Sequence, residues 1–420
     1  MPQQHPLTLV TPVLESRQET LFEYLENLKT GLEHDIHESF EDIGTIHFAR
    51  WLVIDTDIKK GQSSMGDMPK LIFSSNFDGD VEQQLKDLCT ESADILDRIY
   101  ACCEGYPVEA DRTCASRVAY LEKWRIPPSA FYRGAPERTL QQIRNEDSLH
   151  NFIAGFISSK NWDNYRSGEI KKKIAQAVIA NSEYAWVKEP FKMPRINWLG
   201  LILLGIVLFI LLPIIIIWVL IVQFRYERHD EYFTMKRSQL NEKKIQELES
   251  YEDIEIPNQF SQLVTMKPGK VRLITFKAFM LFARILIPVK FVKGKLMGIP
   301  TIHFARWVLF DDNKRVLFFS NFDGSWQQYL GDFIDQSGWG LTGIFSNTTK
   351  FPKTKFLITG GAYDEEHFLA WSRNSEVQTQ VWYNAYPHLS IKNVNNNSLI
   401  RSLLLKNSSE KEAAAFLKLI

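Results

Sequence analysis

Thr45–Trp51 reads TIHFARW, and Thr301–Trp307 reads TIHFARW again; Ser75–Gly79 reads SNFDG, and so does Ser320–Gly324. Two strings repeated in the same order mark a duplicated unit. In each copy the first string has the alternation of a strand, and the second closes a strand and leads into a helix. The chain of 420 residues has room for two domains of ordinary size and a linker.

Working outward in the first copy, Leu7–Val13 is rich in β-formers. From Ser16 the run SRQETLFEYLENLKTGLEHD sets Leu21, Tyr24, Leu25, Leu28 and Leu32 at helical spacing, with Ser16 and Glu19 placed as a capping box. Thr45–Asp55 and Lys70–Phe77 read as paired strands, a helix covers about Val81–Tyr100, and Ser129–Gly134 supplies a fourth strand. The second copy repeats the order with Gln259–Met266, an apolar helix over Val271–Pro288, strands at Thr301–Asp311 and Arg315–Phe322, a helix from Trp326, and a fourth strand at Lys355–Thr359. The first copy carries an insertion, IKKGQSSMGDMP, with the composition of a surface loop. The order β-α-β-β-α-β is the ferredoxin-like one. The expected class is α+β, with two ferredoxin-like domains joined through a hydrophobic membrane helix.

That helix is Trp198–Phe224, WLGLILLGIVLFILLPIIIIWVLIVQF, in which only Gln223 is strongly polar. At about 1.5 Å per residue it reaches roughly 40 Å, against a hydrocarbon core of about 30 Å. Pro213 allows either a kinked spanning helix or a shallow hairpin in one leaflet. The flanks do not choose, because Lys188, Lys192 and Arg195 are nearly matched by Arg225, Arg228, Lys236 and Arg237. A span would put the two copies on opposite sides, whereas a hairpin would let their sheets pack face to face. The expected division is 1–160 for the first domain, 161–197 for a helical linker, 198–224 for the membrane segment, 225–255 for a charged juxtamembrane helix, and 256–420 for the second domain.

Lys and Arg number 49 against 50 Asp and Glu, but the balance is local. Ile256–Phe310 contains no acid, while Lys270, Arg272, Lys277, Arg284, Lys290, Lys293 and Lys295 fall within it among Leu, Ile, Phe and Val. A basic face interleaved with apolar residues, close after a membrane segment, points to anionic lipid rather than nucleic acid. The cysteines Cys89, Cys102, Cys103 and Cys114 lack CxxC spacing and recur nowhere in the second copy, so they read as unpaired buried thiols and suggest neither a metal site nor a disulfide framework. The N-terminus has no charged region followed by an apolar one, so the first domain is expected in the cytoplasm.

Within TIHFARW, alternation sends His303, Ala305 and Trp307 one way and Phe304 and Arg306 the other, so His and Arg share a face only if a bulge intervenes. A functional reading makes His47, Arg50 and Asp78, or His303, Arg306 and Asp323, the catalytic candidates around a cavity, with Asn76, Asn321, Trp51 and Trp307 contacting a ligand. A structural reading has the His hydrogen-bonded, the Arg paired and the Asp bracing the turn before a helix capped by Asp80 or Ser325.

The twice-repeated β-α-β-β-α-β order resembles the dimeric α+β barrel superfamily, which includes dye-decolorising peroxidases, chlorite dismutases and small monooxygenases. In its heme members a proximal His works with a distal Arg, and the peroxidases carry a GxxDG motif. FDG at Phe77–Gly79 and Phe322–Gly324 is similar to the end of that motif, but Ser75 and Ser320 stand where its first Gly would be. The strings TIHFARW, SNFDGSWQQYLGDFID and QVWYNAYP resemble a group of duplicated, membrane-anchored bacterial proteins, which implies an architecture and no activity. Two functions follow as expectations. One is a non-enzymatic membrane protein that docks on anionic lipid and holds an apolar ligand or pairs its own repeats, alone or as a homo-oligomer; the other is an oxidoreductase, heme-dependent or cofactor-free, acting on a lipid-like substrate.

Overall fold

The computed structural model describes residues 3–32, 36–57, 62–63, 68–190 and 193–420, so most of the expected insertion loop, and Lys192, lie outside the described residues. The fold is mixed α+β. Its main strands are β1 (Gln4–Pro12), β2 (Ile46–Ile54), β3 (Lys70–Asp78), β4 (Ala130–Arg133), β5 (Pro257–Thr265), β6 (Ile302–Phe310), β7 (Arg315–Asp323) and β8 (Val381–Asn384). They form two four-stranded antiparallel sheets, β1-β3-β2-β8 and β4-β6-β7-β5.

Each sheet is completed by a strand from the other half of the chain. β4 pairs with β6, setting Ala130 opposite Trp307, and β8 pairs with β2, setting Val381 opposite Trp51. The approach to each crossing strand still bonds its own half. Val10 donates to the Trp124 carbonyl and Ile126 to the Thr8 carbonyl before the chain enters β4. Val377 donates to the Ser261 carbonyl before the chain enters β8. Both crossing segments therefore stitch the two sheets together along their edges. At the end of β4, a side chain on Gly134 would meet the Ile302 carbonyl oxygen at 2.2 Å, so only glycine lets the strand lie that close.

The strands are buried on both faces, β2 and β7 at every position. Outward residues such as Trp51 and Phe73 pack under Leu25, Leu28 and Leu88, and Trp307 and Phe318 pack under Phe276, Met280 and Phe333. Inward residues from the two sheets meet each other: Leu52, Ile54 and Ile72 with Val308, Phe310, Leu317 and Phe319. Helices Leu140–Ser158 and Ile391–Leu404 add a further contact between halves through Leu149, Ile153, Ile400 and Leu404.

The apolar stretch is one continuous helix, Trp198–Arg225, with Pro213 inside it, so the internal hairpin is not formed. With its next turn, to His229, it is long and apolar enough to cross a membrane, and only 6% of its apolar window is buried. It runs antiparallel to the basic helix Lys270–Lys290, with Asn197 N–H donating to the Val289 carbonyl at one end (2.9 Å) and Trp218 Nε1 to Thr275 Oγ1 (2.9 Å) towards the other. Gln223, the lone polar residue of the stretch, is buried and accepts from the Phe356 N–H. One turn later the Glu227 carboxylate accepts from Thr354 Oγ1 and Leu357 N–H.

Several local expectations differ. The fourth strand of the second half is Val381–Asn384; Thr354–Lys355 and Thr359–Gly360 form a separate two-stranded ribbon, because the chain turns back at once through Phe356 and Leu357, both at positive φ. Ser16 makes no capping bond: Glu15–Arg17 is a 3-10 turn and the helix starts at Gln18. The charged stretch after the apolar helix is mostly irregular, with an α-helix at Glu242–Glu249 and short 3-10 turns at Glu227–His229 and Arg237–Gln239, and its charges make tertiary ion pairs. The caps at Asp80 and Ser325 form as expected, the former accepting from Glu82 and Gln83 and the latter from Gln328.

Strand exchange makes a direct prediction for the halves. Residues 1–190 and 226–420 expressed separately each lack the strand that completes their sheet, and each should be unfolded or aggregated. Co-expressed without a covalent link, they should copurify as a folded pair with the circular dichroism of the full chain. Two independently folded, monomeric halves would contradict the exchanged pairing.

Candidate functional site

The repeated motifs meet at the centre of the molecule, between the sheets. In both copies the strand pairing slips at the histidine. Ile46 faces Phe77 and Phe48 faces Asn76, leaving His47 without an opposite residue, and His303 is skipped likewise between Ile302 and Phe304. Each bulge frees the His from the alternation of its strand.

His47 Nε2 lies 3.0 Å from Asp78 Oδ1, and its Nδ1 lies 3.2 Å from the Tyr386 hydroxyl. His303 Nε2 lies 2.6 Å from Asp323 Oδ1. The second oxygen of each Asp accepts the first N–H of a helix: Asp78 from Leu140 (2.6 Å) and Asp323 from Ile391 (2.8 Å). A carboxylate at a helix N-terminus satisfies an orphan donor and meets the positive end of the helix dipole. Each His–Asp pair thus pins the helix that follows a crossing strand back onto its own half. Phe48, Phe304 and Tyr386 surround both imidazoles edge-on or tilted at 5.3–5.8 Å.

The arginines cross between the sheets. Arg50 on β2 donates to the Phe260 carbonyl (2.9 Å), Ser261 Oγ (3.0 Å) and the Ser320 carbonyl (3.1 Å), all in the opposite sheet. Arg306 on β6 returns the bonds, to the Leu7 and Ser75 carbonyls (2.9 Å each) and Ser74 Oγ (2.5 Å). Between them Asn76 Nδ2 donates to Asn321 Oδ1 at 3.0 Å, joining the two equivalent asparagines. Burial lowers both guanidinium pKa values, and the like charge of Arg306 lowers Arg50 further; Arg306, at about 9, keeps its charge at neutral pH. Trp51 and Trp307 point outward into the helical layers, against Phe73 (4.6 Å) and Phe318 (4.9 Å).

His47, Arg50, Asp78, His303, Arg306, Asp323, Asn76, Asn321, Trp51 and Trp307 are all buried. Eight of them are brought together as a lock between the sheets, while Trp51 and Trp307 lie in the outer helical layers. A cavity of 380 Å³ beyond Arg50 is lined by Gln259 and Trp382, and by none of these ten residues. Both ring nitrogens of His47 are engaged, by Asp78 and the Tyr386 hydroxyl, and Nε2 of His303 is engaged by Asp323, whereas the buried Nδ1 of His303 has no hydrogen-bond partner among the described residues.

Of the basic candidates, Lys270, Lys277, Arg284, Lys290, Lys293 and Lys295 are exposed. Arg272 departs from that row: it is buried, ion-paired with Asp230, and lies over the Tyr226 ring. Cys89, Cys102 and Cys103 are buried and Cys114 is exposed, and burial pushes the Cys89 and Cys103 thiols up to about 12.

Sequence reasoning missed two charged groups. At one end of the sheet pair Arg315 binds Asp55 (2.6 Å) and Lys70 binds Asp311 (3.2 Å), again crossing between sheets. Their signal was available, because Asp55 and Asp311 stand at equal distance beyond the repeated TIHFARW strings. The other group is Arg373, buried, bonded to Glu252 and Glu376 and stacked 4.0 Å from the Trp326 ring; only the three-residue spacing of Arg373 and Glu376 hinted at it.

Compared with known proteins, the chain matches no family model, no curated protein and no solved structure.

Two stability predictions follow. Arg306→Ala leaves two buried carbonyls and a hydroxyl without their donor and opens a cavity, and should cost at least about 3 kcal/mol in urea unfolding. Arg306→Lys should recover only part, because one ammonium cannot span acceptors on two strands. Wild-type stability in Arg306→Ala would refute the lock. Burial pushes the Glu376 carboxyl up to about 8, with Arg373 opposing and Glu252 adding. An acid whose folded pKa exceeds its unfolded value, about 4.3, stabilises fully below that value and loses the contribution as pH rises towards 8. Stability should therefore fall between pH 5 and pH 8 beyond what Glu376→Gln shows, and equal slopes would remove Glu376 as the cause.

Proposed function

We propose that the chain is a membrane-surface protein without catalytic chemistry at its repeated motifs. In this reading it is a duplicated ferredoxin-like pair of the dimeric α+β barrel type, and its apolar helix lies in the plane of one leaflet. The observation that carries this is the attachment of both ends of that helix to one interlocked body. Asn197 is tied to Val289 near one end, Trp218 and Gln223 are tied to Thr275 and Phe356 near the other, and the sequences before and after the helix share their sheets. A crossing helix would put one strand of each sheet on the opposite side of the bilayer from the other three.

The antiparallel basic helix supports the same reading. Ile274, Leu281 and Ile285 are exposed beside the apolar helix, and Lys270, Lys277, Arg284 and Lys290 are exposed on the same element. An apolar surface flanked by cations binds a leaflet with acyl chains below and anionic headgroups at the rim. The absence of acids from Ile256–Phe310 fits the cytoplasmic leaflet, where anionic lipid concentrates. The repeated His, Arg, Asp and Asn serve to hold the two halves together, and the partner is an anionic bilayer.

Tags at the two termini, probed with protease in sealed vesicles of known orientation, should both be reached from the same side. Binding to vesicles of phosphatidylglycerol and phosphatidylcholine should weaken but persist at high salt, because the apolar term is not screened. Lys270→Gln, Lys277→Gln and Arg284→Gln together should lower the salt-sensitive part. Termini on opposite sides would end the in-plane reading, and insensitivity to both salt and charge removal would end the docking of the basic helix.

A further inference from the structure

Two cavities lie on either side of the segment that follows the basic helix. The first, about 800 Å³, has Arg138, Arg195, Lys293 and Lys392 in its lining together with asparagines, and no acidic side chain lines it. The second, about 520 Å³, opens between the apolar helix and the basic helix and is lined by Leu204, Gly205, Leu208, Phe282 and Leu286, with Trp339 at its wall. Lys290 and Phe291 face the second cavity, and Val292 and Lys293, the next residues, face the first. An acid-free basic pocket therefore adjoins an apolar groove on the exposed apolar helix.

From this we infer that the pair of cavities is a binding site for one anionic phospholipid, its phosphate in the basic pocket and an acyl chain in the groove. The inference rests on the membrane-surface reading above and deepens it.

Arg138 anchors the headgroup side. It is 1% exposed and held in place by Ser398 Oγ (3.2 Å) and the Pro136 carbonyl (2.8 Å), and its Nη2 meets the Met193 sulfur at 3.0 Å. Burial lowers its pKa and the nearby Glu146 and Glu137 raise it. Glu146 itself is engaged, by Ser398 Oγ at 2.5 Å and Arg401 at 3.3 Å. The exposed Arg195, Lys293 and Lys392 supply mobile cations around this fixed one. Lys392 stands in the first turn of helix Ile391–Leu404.

Arg195 lies two residues before Asn197, where the apolar helix is capped, so the basic pocket sits at the start of that helix. On the groove side, a Cβ built on Gly205 meets nothing within 4 Å, so the space there is open to a chain. Charge complementarity and continuity with the apolar helix together favour a lipid over a free anion, which would have no use for the groove.

The test uses the full chain purified in mild detergent and titrated with nanodiscs of phosphatidylglycerol or phosphatidylcholine, with retained lipid counted by native mass spectrometry. One phosphatidylglycerol should be retained and no phosphatidylcholine. The exposed-site variant Arg195→Gln, Lys293→Gln, Lys392→Gln should lose that lipid at least tenfold, and so should Gly205→Trp, which fills the groove and leaves the charges in place. A charge-matched control, Lys123→Gln, Lys160→Gln, Lys172→Gln, should retain it. If inorganic phosphate at millimolar concentration displaces the lipid and Gly205→Trp has no effect, the pocket is a free-anion site and the lipid proposal is overturned. If the chain floats with phosphatidylglycerol vesicles yet no variant changes retention, the site is wrong while the membrane reading stands. Failure to bind vesicles at all would remove both.

Discussion

β4 and β8 each leave the half of the chain that encodes them and complete the sheet of the other. A strand pair at a sheet edge is held by backbone bonds that have no partner elsewhere, so neither sheet closes until both halves are present. The distance in sequence between β4 and β6, or β2 and β8, makes this a non-local assembly, expected to form late and slowly. The placement of the apolar helix depends on it too. That helix joins two halves already bound to each other, and it folds back along the helix Lys270–Lys290 of the second.

The centre of the interface is polar, which is unusual for a pair of sheets that bury their inner faces. Two guanidiniums without carboxylates are costly to desolvate, and replacing such groups with apolar ones is often stabilising. What the arginines provide is position. Each fans its donors over carbonyls of two neighbouring strands in the opposite sheet, a pattern met at only one offset of the sheets. The Asn76–Asn321 bond adds a second fixed point. An all-apolar interface like that of Leu52, Ile54, Val308 and Leu317 would pack at several offsets. The polar core selects one.

Much of this was legible in the chain, and the limits have physical causes. β2, β3, β6 and β7 were readable because each is long, alternating and marked by a repeated string. β8 was not, because a four-residue strand carries little periodicity and the glycine turn at 360–361 offered a better signal in the wrong place. That His and Asp belong together was hidden by the bulge, which alternation cannot express except as a proviso. Strand exchange was invisible for a deeper reason: β4 and β8 each face an edge strand that carries the same TIHFARW string, so either would suit either sheet. The burial of Arg272 depends on Asp230 in an irregular stretch that helical spacing never places beside it.

The repeated strings explain why exchange is available at all. When the two units carry the same β2-like strand, TIHFARW, each fourth strand meets an equivalent edge in its own unit and in the other. Packing the sheets face to face brings the foreign edge within reach, and the short crossing segments at 124–130 and 377–381 span the gap without a long loop. Two separate chains would reach the same arrangement only by dimerising, at a loss of translational freedom. One chain makes the contact intramolecular, and its connection must run from one half to the other across the outside of the assembly. A polar connection would lie in water. Making it an apolar helix of about 40 Å turns the obligatory linker into a surface that water disfavours, and in the proposed reading the segment that makes the pairing unimolecular is also the one that drives the assembly onto lipid.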